Sequence, residues 1–121
     1  MSDEIDLSEK LLSACRTSIG DELRSLTYFT ADEYEQVYLR DDLERDADVE
    51  AFVGNERLGF TSQRTYGGSE LGTYQFTIRA FEFGYLTRVI TGDSGVYVTT
   101  DPLSMDRFEE LATAVSSVLD D

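Results

Sequence analysis

The sequence predicts an α+β fold in one domain of 121 residues. The order is helix-strand-strand-helix-strand-strand-strand-helix, with a five-stranded antiparallel sheet and the terminal helices packed on one face. Three observations predict it. Residues 72–101 read as three strand-like runs, GTYQFTIRAF, YLTRVIT and VYVTTD, separated by the short turns EFG and GDSG. Residues 23–40 hold two more β-rich runs around Ala31-Asp32-Glu33, which make a first hairpin. Apolar residues recur at helical spacing near each end of the chain, and a small sheet needs such helices laid across a face.

In chain order, Asp6 is the predicted cap of the first helix, with Glu9 three residues on completing an Asp-x-x-Glu box. Leu7, Leu11, Leu12, Cys15 and Ile19 form its apolar stripe, and Gly20 ends it. In the first hairpin LRSLTYFT precedes YEQVYLR. Strict alternation puts Tyr34, Gln36 and Tyr38 on one face and Glu35, Val37 and Leu39 on the other. Residues 41–48 are acid-rich, and from about Asp46 a helical pattern begins, with Val49, Phe52 and Val53 as a narrow stripe that Gly54 weakens. Residues 58–71 contain Gly59, Gly67, Gly68 and Ser69 and read as a long loop.

The three strands follow. Tyr74, Phe76, Ile78 and Ala80 fall on one face, with Gln75, Thr77 and Arg79 on the other. Gly84, Gly92 and Gly95 sit where tight reversals call for positive φ. Asp101-Pro102 closes the sheet, because the residue before proline is pushed away from helix. Ser104 then caps a last helix whose stripe is Phe108, Leu111, Ala112, Val115, Val118 and Leu119.

Charge dominates the composition. Asp and Glu number 25 against 10 Lys and Arg, a formal net charge of -15, and Lys10 is the only lysine. Self-repulsion of this size opposes compaction at low salt, whereas molar salt screens it to within ~3 Å. Acid enrichment with almost no lysine is the pattern of proteins that work in a salt-loaded cytoplasm. The acids are spread along the chain rather than gathered in a tail, which argues against an acidic mimic of nucleic acid. No basic stripe exists to release counterions, so direct nucleic-acid binding is not expected. No apolar run reaches the ~20 residues of a membrane span, and the Met-Ser-Asp-Glu start is acidic, which predicts a cytoplasmic protein with no membrane partner. Cys15 has no second cysteine to pair with and falls on the inner side of the first helix, as a small buried thiol.

The chain has no histidine, which removes the commonest proton shuttle, the Cys-His and Ser-His pairs and zinc sites of the Cys/His type. Neither GxGxxG nor a P-loop occurs. Asp41, Asp42, Glu44, Asp46 and Asp48 carry hard oxygen ligands, but the glycine of an EF-hand loop is missing and a solvated acidic face is the simpler reading. No catalytic, cofactor-binding or metal-binding residue is assigned, and an enzyme is not expected. Two aromatic features stand out instead. Tyr34, Tyr38, Arg40 and Asp41 offer a partner surface, against the plainer reading of a cross-strand aromatic pair with an Arg–Asp bridge at the strand end. Phe81, Phe83 and Tyr85 share strand parity close to Tyr66 and Tyr74, a candidate partner or dimer strip.

Two segments, YFTADEY running into VYLRDDL, and GTYQFTIRAF leading to GVYVTTDP, resemble a family of small acidic haloarchaeal proteins with no assigned function. The resemblance covers most of the chain outside residues 55–69 and supports salt adaptation without supplying catalytic residues. The inferred element order is similar to roadblock and profilin-like domains, which implies a dimeric scaffold by topology alone. The expected function is therefore a non-enzymatic regulatory or adaptor module, homodimeric and in contact with a further, unidentified protein, needing no cofactor. The alternative is a PAS-like small-molecule sensor with its ligand between the sheet and the loop at residues 55–71.

Overall fold

A computed structural model describes residues 3–43 and 49–120. Helix α1 (Asp3–Ile19) is followed by β1 (Leu23–Phe29), β2 (Tyr34–Leu39), α2 (Val49–Glu56) and the short α3 (Gly59–Ser62). Strands β3 (Thr77–Ala80), β4 (Tyr85–Thr91) and β5 (Ser94–Thr100) lead to α4 (Met105–Leu119). The strands form one antiparallel sheet in the order β2-β1-β5-β4-β3. The chain leaves the sheet at one edge, β2, and re-enters at the other, β3. On the way it lays α2 and α3 over one face, while α1 and α4 pack together over the opposite face, as predicted.

Period-two alternation sorts the central strands between these faces. On β5, Val96 and Val98 point toward the terminal helices, where they join Leu11, Leu26, Leu111 and Val115 in the main core. Burying each such aliphatic side chain contributes about 1.5–3 kcal/mol. Tyr97, from the other face of β5, enters a second cluster with Phe29, Leu86 and Val53 under α2. On α1, Leu11, Cys15 and Ile19 lie four residues apart and are buried. Burial pushes the Cys15 thiol up to about 12, so it is an inert core group. Gly20 then ends the helix at φ 58°. At the other terminus, Ser104 caps α4 by accepting the Arg107 N–H, as expected.

Five expectations are corrected. Helix α1 starts at Asp3, so Asp6 lies inside its first turns rather than ahead of it. Residues 58–71 are not a plain loop. They contain α3 and a 3₁₀ turn (Gln63–Tyr66), and α3 seats against β4 at Gly59, where an added Cβ would fall 2.5 Å from the Arg88 guanidinium. The strand predicted from residue 72 pairs only from Thr77. Ahead of it, the Tyr74 hydroxyl bonds Thr77 Oγ1 at 2.8 Å and the Arg88 carbonyl at 3.3 Å, so a side chain takes the place of the ladder.

The fourth correction concerns β2. Leu26 pairs with Tyr38 while the next residue, Thr27, pairs with Gln36, so Val37 is an extra residue in a β-bulge. The bulge flips alternation, and Tyr34 and Tyr38 end on opposite faces. The fifth concerns the glycines. Among Gly84, Gly92 and Gly95 only Gly92 has positive φ, at 60°, in the two-residue β4–β5 turn. Gly84 and Gly95 are required by proximity: a Cβ at Gly84 would lie 2.6 Å from the Thr100 carbonyl, and one at Gly95 would strike the Phe29 ring.

Candidate functional site

Among the described residues, helices α2 and α3 pack over Phe29, Leu86 and Tyr97 and do not cover the end of the face near the β3–β4 turn. A cleft of about 560 Å³ results. Its floor is Ser25 of β1, Gln36 and Leu39 of β2, and Tyr97 and Thr99 of β5. Leu43, Val49 and Phe52 form one wall, the turn at residues 81–84 forms the other, and Arg24 borders the far end.

Local sequence explains each part. The β1 irregularity between Leu23 and Ser25 turns Arg24 out of the ladder. Its guanidinium reaches Asp101 through Nη1 at 3.2 Å, and the absence of a side chain at Gly84 lets its stem pass the β3–β4 turn. That turn is closed by the Phe81 N–H donating to the Gly84 carbonyl at 2.9 Å. Strand parity therefore breaks between Phe81 and Tyr85. Phe81 stacks on Phe52, with centroids 6.4 Å apart and planes within 14°. Tyr85 turns to the opposite face, edge-on to Phe108 at 5.3 Å, while still bordering the cleft. Phe52 also lies 6.1 Å from the Tyr97 ring, whose phenol burial holds above its usual range. Four aromatic rings thus converge on one groove, with Phe81 54 % and Phe83 74 % exposed.

Beside the cleft, α2 carries a buried charge. Glu56 is 2 % exposed and accepts hydrogen bonds from Arg88 Nη1 at 3.1 Å and Arg79 Nε at 2.7 Å. Arg88 also donates to Thr77 Oγ1 at 2.9 Å. Glu56 raises the affinity of Arg79 for its proton. The cluster clamps α2 to β3 and β4 through one carboxylate shared by two guanidiniums, and the buried Arg88 Nε has no hydrogen-bond partner among the described residues. Sequence reasoning missed it. The available signal was Glu56 three residues beyond Val53, on the inner stripe of α2, and Arg88 between Leu86 and Ile90 on one strand face.

A second ion network ties strand ends together. Arg40 donates to Asp42 from Nε at 2.7 Å and to Asp101 from Nη1 at 2.8 Å, and its Nη1 also meets the Asp21 carbonyl at 3.0 Å. The Arg40 guanidinium, seconded by Arg24, holds the Asp101 carboxyl below the usual carboxylate range, and Arg40 does the same for Asp42. The plainer reading of Arg40 as a strand-end clamp describes this geometry, with Asp42 rather than Asp41 as the adjoining acid. Among the described residues no group of three or more Asp, Glu, Cys or His side chains is arranged to hold a metal. Glu44, Asp46 and Asp48 of the acidic run lie outside the described residues. No helix among the described residues is long and apolar enough to cross a membrane.

Residues 9–120 match the family model described as a domain of unknown function, DUF7522. The chain belongs to that family. A comparison with curated proteins found no match.

Within this DUF7522 domain, the seven residues singled out from sequence do not form one surface. Phe81 and Phe83 line the cleft, and Tyr85 borders it. Tyr34, 44 % exposed, is on the cleft face but outside its lining, at the β1–β2 turn end of the sheet. Tyr38 lies under α1, with the Arg16 guanidinium 5.4 Å from its ring centre. Arg40 serves the ion network, and Asp41 is exposed without a side-chain bond among the described residues. Phe52, Tyr97, Arg24 and Gln36 are cleft residues that sequence reasoning passed over. Parity offered a clue, since Tyr97 and Thr99 alternate with the core residues Val96 and Val98. Among the described residues, none of 55–71 lines the cleft. That segment is seated on the sheet through Gly59 and Phe60.

Proposed function

We propose that this DUF7522 domain is a non-enzymatic binding module of a salt-loaded cytoplasm, which regulates by taking up a small organic molecule in the cleft beside α2. One observation carries this reading: a groove of about 560 Å³ with aromatic walls and few polar groups, formed where the crossover helices stop short of the end of the sheet. Ligand sites are concave, mostly apolar and furnished with a small number of placed polar groups, and their volumes run to ~300–1,000 Å³. The strand order β2-β1-β5-β4-β3 with helices at both ends supports a roadblock- or profilin-like topology. The charge of -15 and the single lysine support a haloarchaeal-type, salt-adapted setting.

The test is to purify the protein from a salt-adapted host at native ionic strength and identify co-purifying small molecules by mass spectrometry. Binding is then mapped by NMR in multimolar KCl. A stoichiometric compound that shifts Phe52, Phe81 and Thr99 resonances supports the reading. Clean protein whose cleft resonances respond to no member of a fragment library overturns it. A second reading, an adaptor that works as a homodimer or through another protein, is favoured by Phe83, which projects largely into solvent at the rim. Light scattering in the same salt separates the two: a mass of 13.6 kDa at all concentrations counts against a homodimer.

A further inference from the structure

Resting on the reading of the cleft as a ligand site, we infer that its occupant is a flat, aromatic monocarboxylate, with its ring against Phe52 and Phe81 and its carboxylate on Arg24.

The ring preference comes from the walls. Phe52 and Phe81 lie within 14° of parallel and are both exposed. Their facing sides are taken by each other, and a flat π-bearing body extends such a stack from an exposed outer face, where a kinked aliphatic chain makes fewer contacts. The Tyr97 ring, 6.1 Å from Phe52, adds a further aromatic surface to the lining.

The head-group preference comes from Arg24. Its guanidinium spends Nη1 on Asp101, and neither Nε nor Nη2 has an acceptor among the described residues. Those two donors form one straight edge of the guanidinium, the edge that takes both oxygens of a carboxylate side-on. The Gln36 amide and the hydrogen-bonded Ser25–Thr99 hydroxyl pair line the same cleft and supply further neutral donors and acceptors. A dianion fits less well. Glu82 is at the rim, and Arg24 and Arg40 are already matched by Asp101 and Asp42, so the site has no surplus positive charge and holds a head group through the two-donor edge of Arg24 alone.

The probe is 2-naphthoate. The chain has no tryptophan, so naphthoate emission is read without interference. Titration in multimolar KCl is expected to give saturable binding that shifts cleft resonances. Decanoate, which keeps the carboxylate on a flexible chain, and 2-naphthamide, which keeps the ring with a neutral head, should each bind about tenfold more weakly, or 1.4 kcal/mol. Phe81→Leu should weaken naphthoate and leave decanoate unchanged. Arg24→Lys, which retains the charge without the two-donor edge, should weaken naphthoate and leave naphthamide unchanged. The NMR spectrum of each variant verifies the fold. If decanoate matches naphthoate and Phe81→Leu changes neither, or if naphthamide matches naphthoate, the aromatic-carboxylate assignment falls while the cleft remains a binding site. If no probe shifts a cleft resonance, or only resonances elsewhere move, the cleft reading falls with it.

Discussion

Replacing Glu56 by glutamine keeps the shape of the side chain and removes its charge. Glu56 is 2 % exposed and the Arg88 side chain 7 %, so Arg88 would then hold a positive charge in the protein with no anion beside it. Arg79, at 39 %, can turn to water, which makes Arg88 the group that decides the outcome. Breaking a buried pair from one side costs about 3–5 kcal/mol. For a chain of 121 residues the unfolding entropy is about 0.25 kcal/mol per kelvin, so Tm should fall by about 12–20 °C. Urea denaturation in multimolar KCl measures the free energy, and calorimetry measures Tm. The triple replacement Glu56→Leu, Arg79→Met, Arg88→Met removes all three charges together and should recover most of the loss, because apolar residues of similar volume replace a buried ion cluster at little cost. A loss below about 1 kcal/mol for Glu56→Gln, or a triple variant no more stable than the single one, would refute the claim that Glu56 holds α2 to the sheet through its two arginines.

Two further outcomes follow from the geometry. The folded-state pKa of Asp101 is depressed below the ordinary value of 3.8, so its ion pairs stabilise fully above that value and the contribution is lost as pH falls through the lower, native one. Denaturation at a series of pH values should show wild type and Asp101→Asn separated by a constant gap above about pH 5 that closes below about pH 4; a gap independent of pH would contradict the assigned linkage. Gly95→Ala places a methyl group in the Phe29 ring and should cost about 1–3 kcal/mol, with Phe29→Leu offsetting part of that loss in a double-mutant cycle. Additive losses would mean that the two residues do not touch.

Local signals sufficed for much of the fold. The β-branched and aromatic run at residues 96–101 described a strand, and Ser104 ahead of a regular apolar stripe described α4. The losses came where partners distant in the chain set the outcome. The extra residue at Val37 is defined only by the pairing of its neighbours Tyr38 and Gln36 with Leu26 and Thr27, and nothing in YEQVYLR itself announces it. The early end of β3 depends on Tyr74 reaching Thr77 and Arg88. Gly84 and Gly95 read as turn glycines because proximity to Thr100 and Phe29 leaves no mark in local sequence. The cleft was half legible. Phe81 and Phe83 stood out as aromatics beside a turn, whereas Phe52, Arg24 and Gln36 join them only once the crossover is folded over the sheet.

The unequal cover of the two sheet faces has an evolutionary consequence. One side is sealed by α1 and α4 over the larger core cluster, while the other, among the described residues, ends in a gap. Mutational drift at Phe52, Phe81 or Gln36 therefore leaves the sealed side untouched, and the gap can be reshaped for a new guest without re-founding the fold.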